Sequence, residues 1–388
     1  MAATGNSLFP HLTTEQVSLR TTGILPAQTI RELIACGRVE AIEKITEEQI
    51  QPASIDLRLG DVAYRVRASF LPGQDCTVQD KVSDLLITKV DLTEGVVFEP
   101  GCVYIASLRE ELSLPKNVEG RANPKSTTGR LDIFTRLITD YGTEFERVRP
   151  GYRGRLFAEI VSRTFSIKVR TGMKLNQLRF IRGNPPSHDG PLAALDEKEN
   201  LVYEEAEGPI RAKIDKGLRI SVRLNAEGEN DLVAYRAKKH APVIDLDQRD
   251  FYDPREYWDT VYSVPRRGII LDPGDFYLLA SKEKIRVPPD YAAEMVPFDP
   301  SIGEFRVHYA GFFDPGFGYG LSDVLGTLAV LEVRAHEVPI LIEHGQTVGR
   351  LVYSPMVARP EKIYGVQIGS SYQMQGLALS KQFKRWPL

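Results

Sequence analysis

The chain repeats itself at a separation of 173 residues, and this repeat limits the possible folds more than any other feature of the sequence. At that separation, matching residues recur in chain order. The pairs are Pro100 with Pro273, Gly101 with Gly274, Tyr104 with Tyr277, Pro115 with Pro288, Glu159 with Glu332, Gly172 with Gly345, and Leu178 with Leu351. The turn Pro150-Gly151-Tyr152 also has a partner, Pro315-Gly316-Phe317, displaced by a loop difference. This pattern predicts an internal duplication into two related halves.

The length of the chain agrees with two domains. Its 388 residues are too many for one ordinary core and sufficient for two. A stretch rich in proline, glycine and acidic residues begins near Gly183. Stretches of this composition make few packed contacts. We therefore expect a first domain over residues 1–184, a linker with one short element over 185–209, and a second domain over 210–388.

Composition argues against several classes of protein. No apolar run approaches the roughly 18 residues of a membrane span, and the N-terminal residues lack the basic and apolar segments of a secretory signal. The net charge of −3 disfavours bulk nucleic-acid binding, which needs a basic field. Cys36, Cys76 and Cys102 are widely spaced, and no CxxC or HxE element is present. We expect a cytoplasmic protein without a disulfide framework or a zinc site.

The predicted secondary structure is mainly strand. Residues 156–169 and 327–342 are rich in β-branched and aromatic residues, and turn signals such as RTGM and EHGQ punctuate the sequence. One helix is predicted from Pro26 to Gly37, with Ile30, Leu33 and Ile34 on one face. Many short strands with Gly and Pro turns favour a jelly-roll or β-sandwich in each half.

The segment KSTTGR, residues 125–130, carries the groups that hold phosphate. Hydroxyls and backbone N–H groups donate to phosphate oxygens, and arginine grips them bidentately. Glycine allows close approach of the backbone. Because the segment is not a P-loop and follows no strict spacing rule, a polar surface turn is an alternative interpretation of Lys125, Ser126, Thr127 and Arg130.

A second candidate is Glu159, which lies in the apolar strand-like run LFAEIV. Strand alternation places Phe157, Glu159 and Val161 on one face. A carboxylate among apolar neighbours has a raised pKa, which suits a general base near neutral pH. A buried ion pair is the alternative, and the recurrence of a glutamate at Glu332 weighs against it.

Two further segments carry polar residues in a regular context. In QPASIDLRLG, residues 51–60, alternation puts Ile55, Leu57 and Leu59 on one face, with Asp56 and Arg58 on the other. We interpret Asp56 and Arg58 as a structural pair that braces the fold or a subunit contact. The tail SSYQMQGLALSK, residues 370–381, is rich in donors, and it is either a frayed end or a segment that closes over a ligand.

Together these segments resemble the dCTP deaminase branch of the dUTPase-like superfamily. ILPAQTIRELIACGRV and QPASIDLRLG resemble the opening helix and first strand, and KSTTGRL is similar to the phosphate motif usually written RSSLARL. PGYRGRLFAEI resembles the turn and strand of the catalytic glutamate, RTGMKLNQLRF the strand of a phosphate-binding glutamine, and SYQMQGLALSK the closing tail. The resemblance covers most of residues 22–182 and the end of the chain. Family members are normally about half as long, so a fused tandem is unusual.

The resemblance implies a reaction and a role for each matching residue. The reaction is hydrolytic deamination of dCTP to dUTP and ammonia, in pyrimidine deoxynucleotide supply. Glu159 would take a proton from water, and the hydroxide would attack C4 of cytosine. The substrate-binding residues would be Lys125, Ser126, Thr127, Arg130, Arg147 and Gln177, with Tyr372 and Gln375 in a closing lid. Magnesium would be carried on the triphosphate, dTTP is a candidate inhibitor, and a trimer of two-domain chains is expected.

The two halves depart from the family pattern in different places. The family's base-binding turn usually reads AGFIDPGF, and the second half has AGFFDPGF, whereas the first half has Arg149 at the aspartate position. The second half lacks the phosphate motif: Glu304 stands at its arginine position and would repel phosphate, and Arg350 replaces the counterpart of Gln177. Either the halves share one composite site that uses Glu332, or they form separate rings with catalysis in the first half. We favour the second arrangement, which makes Glu159 the base.

Two other functions remain open from the sequence. A bifunctional enzyme would deaminate dCTP and then hydrolyse dUTP. A catalytically inactive nucleotide-binding scaffold would account for the altered turn of the first half. Release of ammonia and pyrophosphate from dCTP distinguishes these functions.

Overall fold

The computed structural model describes residues 20–204, 208–225, 232–263, 268–296, 305–308, 311–319, 326–335, 337–365 and 376–386. Within these ranges the chain is mainly β, which confirms the predicted fold class. The α-helices are α1 (Ala27–Ala35), α2 (Val78–Leu85), α3 (Ser126–Gly129) and α4 (Asp189–Glu199). None of the helices in these ranges has the length and apolar character needed to cross a membrane.

The first half contributes twelve strands. They are β1 (Gly23–Ile24), β2 (Val39–Ala41), β3 (Ile55–Val66), β4 (Leu86–Asp91), β5 (Val96–Phe98), β6 (Val103–Ser113), β7 (Val118–Pro124), β8 (Ile133–Thr139), β9 (Arg147–Val148), β10 (Arg153–Ser162), β11 (Ile167–Val169) and β12 (Lys174–Arg182). Most of them join a ten-stranded sheet whose central order is β8-β10-β6-β3-β12-β7-β9.

The strands of the second half follow in chain order. They are β13 (Val202–Glu204), β14 (Gly208–Ile210), β15 (Leu218–Ser221), β16 (Leu232–Ala237), β17 (Ile244–Asp245), β18 (Trp258–Tyr262), β19 (Ile269–Leu271), β20 (Tyr277–Ile285), β21 (Tyr291–Val296), β22 (Phe305–His308), β23 (Phe312–Phe313), β24 (Thr327–Ala335), β25 (Ile340–Ile342) and β26 (Thr347–Pro355). A seven-stranded sheet contains β20 and β24, and a four-stranded sheet has the order β15-β26-β21-β23.

Strand registers recur between the halves at the separation seen in the sequence. In the first half Glu159 of β10 pairs with Ile105 of β6. In the second half Glu332 of β24 pairs with Leu278 of β20, which is Ile105 displaced by the same 173 residues. The two glutamates therefore occupy corresponding positions in their sheets. Internal duplication as the origin of this correspondence stays a prediction.

The halves share a hydrophobic core. Trp258, Phe276 and Phe383 belong to the same buried cluster as Phe165 and the strands of the first half. The Trp258 ring centroid lies 5.6 Å from that of Phe165. Strand β17 also adds to β11 in parallel pairing. Aromatic rings bury large areas of apolar surface, so this packing holds the two halves together.

The stretch that we expected to be a linker is largely structured. Helix α4 and strands β13 and β14 lie within it, and Leu192, Leu195 and Leu201 are buried in the core of the second half. We expected one short element in this stretch, whereas the structure has a helix and two strands there. The Pro, Gly and acidic composition obscured the apolar residues, which are too widely spaced to give a strong periodic signal.

Two local predictions for the first half have different outcomes. The predicted opening helix is confirmed as α1, with Ile30 buried and Leu33 and Ile34 packed against the core. The expected pairing of Asp56 with Arg58 is wrong. Both are buried in β3, but Asp56 pairs with Lys125, and Arg58 pairs with Glu110 at 2.7 Å. Side chains two apart on a strand share a face and point in parallel, so each reaches across to a different neighbour.

Candidate active site

A cavity of about 780 Å³ lies where the two halves meet. The first half supplies the end of β7, helix α3 and Gln177 of β12. The second half supplies the turn at 311–317 and strand β24, and the tail closes the wall with Lys381 and Gln382. The cavity thus brings together the KSTTGR segment, which the second half lacks, and the turn at 311–317, whose family pattern the first half lacks.

The KSTTGR segment, residues 125–130, contains helix α3 and forms one wall of the cavity. Lys125 forms an ion pair with Asp56 of β3. The Thr128 hydroxyl donates to the Leu175 carbonyl oxygen at 3.0 Å, which anchors the helix to β12. Ser126 and Thr127 also line the cavity. The segment is therefore a fixed, cation-flanked wall rather than a free surface turn.

The chain tail is bound to this wall. An Nη of Arg130 donates to the Ala378 carbonyl oxygen at 3.1 Å. The Ser380 hydroxyl donates to the Thr127 carbonyl oxygen at 2.9 Å. Lys381 lines the cavity beside them, and its pKa is lowered by burial and by the positive charges of Arg249 and Lys125. Cations gathered in this way bind a polyanion.

Gln177 completes the same wall from β12. Its side-chain oxygen accepts from the Ser54 hydroxyl at 3.3 Å, and its amide nitrogen lies 3.4 Å from the Pro124 carbonyl oxygen. It is buried and lines the cavity. Lys125, Ser126, Thr127, Arg130 and Gln177 are thus brought together around one space.

Glu332 lies against the wall that residues 125–130 form with Gln177, which we call the phosphate-type wall. A Cβ built on Gly129 would stand 2.9 Å from the Glu332 carboxyl carbon and from both of its oxygens. Glu332 is 6% exposed, and burial raises its pKa well above the usual value. The charge of Arg130 opposes this rise, and that of Asp132 adds to it. A buried carboxyl with a raised pKa beside a cavity has the properties of a general acid or base.

Comparisons with known proteins identify the family to which the chain belongs. The model of the 2'-deoxycytidine 5'-triphosphate deaminase N-terminal domain matches residues 21–184, and that of the C-terminal domain matches 188–383. The chain belongs to the dCTP deaminase family. A crystal structure of 2'-deoxycytidine 5'-triphosphate deaminase from Agrobacterium tumefaciens has a TM-score of 0.82 and 50% identity, covering 87% of this chain and 100% of that one.

Shorter members of the dCTP deaminase family match part of the chain. A relative from Acidothermus cellulolyticus is 34% identical over 167 residues, which is 42% of this chain and 82% of the relative. A relative from Beutenbergia cavernae is 30% identical over 165 residues, again 42% of this chain and 82% of the relative. Both are named dCTP deaminase, dUMP-forming.

Glu159, the base that the sequence favoured, does not line the cavity in this member of the dCTP deaminase family. It is fully buried in β10 and is not among the described residues that line the cavity. Nε of Arg136 donates to its Oε1 at 3.0 Å, and Nη2 of Arg136 contacts the same oxygen. The Phe145 ring lies 3.5 Å from the Arg136 guanidinium carbon. Glu159 is therefore held by Arg136 within the first half, apart from the cavity.

The remaining predicted residues are not brought to the cavity by the described structure. Arg147 pairs with Glu144 and Glu119, each at 3.2 Å, and within the described ranges it has no place in the cavity wall. Tyr372 and Gln375 lie outside the described residues, and so does Glu304.

Arg179, which the sequence interpretation missed, supports the cavity wall through Asp314. It is 1% exposed, and its guanidinium donates to the Ala293 carbonyl oxygen at 3.1 Å and to the Asp314 carboxylate at 3.2 Å. The Phe312 ring lies 3.9 Å from the guanidinium carbon. Arg179 thereby links β12 to the turn at 311–317, which we call the base-type turn because it resembles the base-binding turn of the family. Its spacing of two from Gln177 was the available signal, because alternate residues of a strand share a face.

Proposed function

We propose that the chain deaminates dCTP in the composite cavity and that Glu332 is the general base. The observation that supports this most directly is the contact between Gly129 of the phosphate-type wall and the Glu332 carboxylate. The wall comes from one half and the carboxylate from the other. Each half contains one of the two segments that the family pattern requires, and the cavity joins them.

The charges within the cavity suggest how the substrate would lie. The triphosphate would bind Lys125, Ser126, Thr127 and Arg130, with Gln177 beside them, because cations and hydroxyl donors collect there. The cytosine ring would lie towards Glu332 and the turn that carries Phe312 and Asp314. In this orientation the charged end of the nucleotide faces cations, and its base faces the less polar end of the cavity.

The proposed chemistry is proton transfer by Glu332. The carboxylate takes a proton from water, the hydroxide attacks C4, and a tetrahedral carbon forms. Glu332 then gives this proton to N3, takes the proton of the new C4 hydroxyl and passes it to the departing amine, so that C4=O forms and ammonia leaves. A raised pKa suits both steps, since the group must accept and release the same proton near neutral pH. The positive charge of Arg130 opposes the rise in the pKa of Glu332.

Glu159 fits this role less well than Glu332. Glu159 is fully buried, Arg136 holds its Oε1, and it is not among the described residues that line the cavity. This reverses the choice that the sequence favoured, in which the first half carried its own base.

A second candidate function is deamination followed by hydrolysis of the triphosphate, with dUMP as the product. The names of the relatives from Acidothermus cellulolyticus and Beutenbergia cavernae favour it. Our primary proposal has dUTP and ammonia as products. Pyrophosphate release measured together with ammonia release distinguishes the two.

Magnesium would enter this reaction on the triphosphate. The described residues contain no group of three or more His, Cys, Asp or Glu side chains placed to hold a metal ion. The cavity offers Lys125, Arg130 and Lys381 to the phosphates, and Mg²⁺ commonly binds through substrate phosphates. The proposed trimer and an inhibitory role for dTTP rest on the family resemblance.

The decisive experiment compares Glu332→Gln with Glu159→Gln in the full chain. Ammonia and pyrophosphate released from dCTP with magnesium are measured for both variants and for the wild type. We expect Glu332→Gln to lose ammonia release and Glu159→Gln to retain it. Loss in Glu159→Gln alone would return the base to the first half. No ammonia from the wild type would instead support a nucleotide-binding scaffold.

A further inference from the structure

A buried ion pair joins the two halves beside the proposed site. Nε of Arg334, on β24, donates to Oδ1 of Asp132 at 3.1 Å, and Nη2 of Arg334 contacts the second carboxylate oxygen. The Thr164 hydroxyl donates to that same oxygen at 2.6 Å. Arg334 also donates to the Gly274 carbonyl oxygen. The guanidinium is therefore held by both halves at once.

The pair is almost completely excluded from solvent. The side chain of Arg334 is 5% exposed and that of Asp132 is 0% exposed. Asp132 also has a φ of 57°, a left-handed conformation that few residues other than glycine, asparagine and aspartate adopt. A buried pair of this kind adds little net stability compared with apolar side chains, because both charges lose hydration. Its two-point geometry, however, sets the relative placement of the elements that carry it.

Those elements are the ones that carry the reacting groups. Asp132 follows Arg130 by two residues and Gly129 by three. Arg334 follows Glu332 by two residues on β24, and alternation along a strand places both side chains on one face. The pair thus connects the two chain segments that meet at the contact between Gly129 and Glu332.

We propose that Arg334 and Asp132 are positioning residues that hold Glu332 against the phosphate-type wall. This rests on the proposed function, in which Glu332 is the base. Neither residue is among the described residues that line the cavity, so they act through Glu332 and Arg130 rather than on the substrate. A displacement of about 1 Å in a reacting group can lower a rate about 10²-fold, and the pair limits such a displacement.

The effect is expected in kcat more than in KM. Most of the proposed triphosphate contacts arise from Lys125, Ser126 and Thr127. Their segment is fixed by bonds of Lys125 to β3, of Thr128 to β12 and of Thr127 to the tail. Loss of the pair would leave those contacts in place and let β24 shift. Arg334→Met and Asp132→Asn each remove the ionic link while keeping much of the side-chain volume. Arg334→Lys keeps the charge but loses the forked geometry.

The matched control is the ion pair of Arg58 with Glu110. It is similarly buried, with exposures of 10% and 0% and a distance of 2.7 Å, and neither residue is among the described residues that line the cavity. Arg58→Met and Glu110→Gln therefore measure what a comparable buried pair contributes to folding alone. Thermal unfolding and steady-state kinetics with dCTP are recorded for every variant and for the double variant Arg334→Met with Asp132→Asn.

We expect kcat to fall about 10²-fold in Arg334→Met, with partial recovery in Arg334→Lys and little change in KM. The double variant should lose no more than the worse single variant, since both residues act through one link. An unchanged kcat, or a fall no larger than in Arg58→Met and Glu110→Gln, would overturn the inference. Activity retained in Glu332→Gln would contradict the proposed function itself. An inactive Glu332→Gln together with fully active Arg334 variants would contradict only the positioning role.

Discussion

The Cα of Gly129 lies against the carboxylate of Glu332, although the two residues belong to different halves of the chain. An ideal Cβ on Gly129 would be 2.9 Å from three atoms of that carboxylate, closer than nonbonded atoms normally approach. Gly129 is the last residue of α3, and the absence of a side chain there leaves room for the Glu332 carboxylate. The contact also defines the space that separates the proposed base from the proposed phosphate site.

Replacement of Gly129 by valine should therefore lower activity. The family motif RSSLARL has alanine where this chain has Gly129, so a branched side chain is used to displace the Glu332 carboxylate, and we expect kcat to fall about 10²-fold. The matched control is Gly190→Val in α4, where a Cβ would meet nothing within 4 Å. Steady-state kinetics and thermal unfolding of both variants test this. Equal activity of Gly129→Val and the wild type would contradict the proposed position of the base.

The raised pKa of Glu332 predicts a pH-dependent stability difference. In the folded protein the Glu332 carboxyl keeps its proton at pH values above 4.5, its ordinary pKa. At pH values between the ordinary and the raised pKa, the folded protein therefore binds more protons than the unfolded chain. The contribution of this group to the free energy of unfolding is present at low pH and falls as pH rises from 4.5 towards the folded pKa. Glu332→Gln should gain thermal stability over the wild type at pH 8 and lose that gain towards pH 4.5. A difference in Tm that does not vary with pH would contradict the raised pKa.

Removal of Arg179 should destabilise the protein strongly. Arg179→Met leaves the buried carboxyl of Asp314 and the Ala293 carbonyl oxygen without their donor. Breaking one partner of a buried ion pair costs about 3–5 kcal/mol, and denaturant unfolding measures it. Arg219→Met is the control, because Arg219 pairs with Asp215 at the surface and exposed pairs contribute less than about 1 kcal/mol. Similar losses in the two variants would show that Arg179 does not hold the base-type turn.

Lys381 is expected to contribute to triphosphate binding. It lines the cavity together with Lys125, so Lys381→Met should raise KM for dCTP about tenfold, the effect of losing one hydrogen bond to a charged group. The value of kcat should change little, because the lysine lies in the phosphate-type wall. Lys384→Met is the control: Lys384 is exposed and is not one of the described cavity residues. A change in kcat with constant KM would place Lys381 near the reacting base instead.

Local features of the sequence were sufficient to predict much of the fold and one side of the site. The mainly β architecture, helix α1 and the strands around Glu159 and Glu332 follow from periodicity and turn residues, which act over a few residues. The KSTTGR segment and Gln177 carry polar groups whose chemistry is evident without coordinates. The structured stretch at 189–210 was underestimated because its Leu residues gain their meaning only from the core they enter.

The sequence by itself determined that two corresponding glutamates exist, while only the tertiary structure decided which of them faces the phosphate-type wall. Glu159 and Glu332 lie in similar strands and in the same register, so no local pattern distinguishes them. Packing of the halves places Gly129 against Glu332 and leaves Glu159 with Arg136. Contacts between residues about two hundred positions apart depend on how whole sheets pack, and local propensity contains no information about that packing.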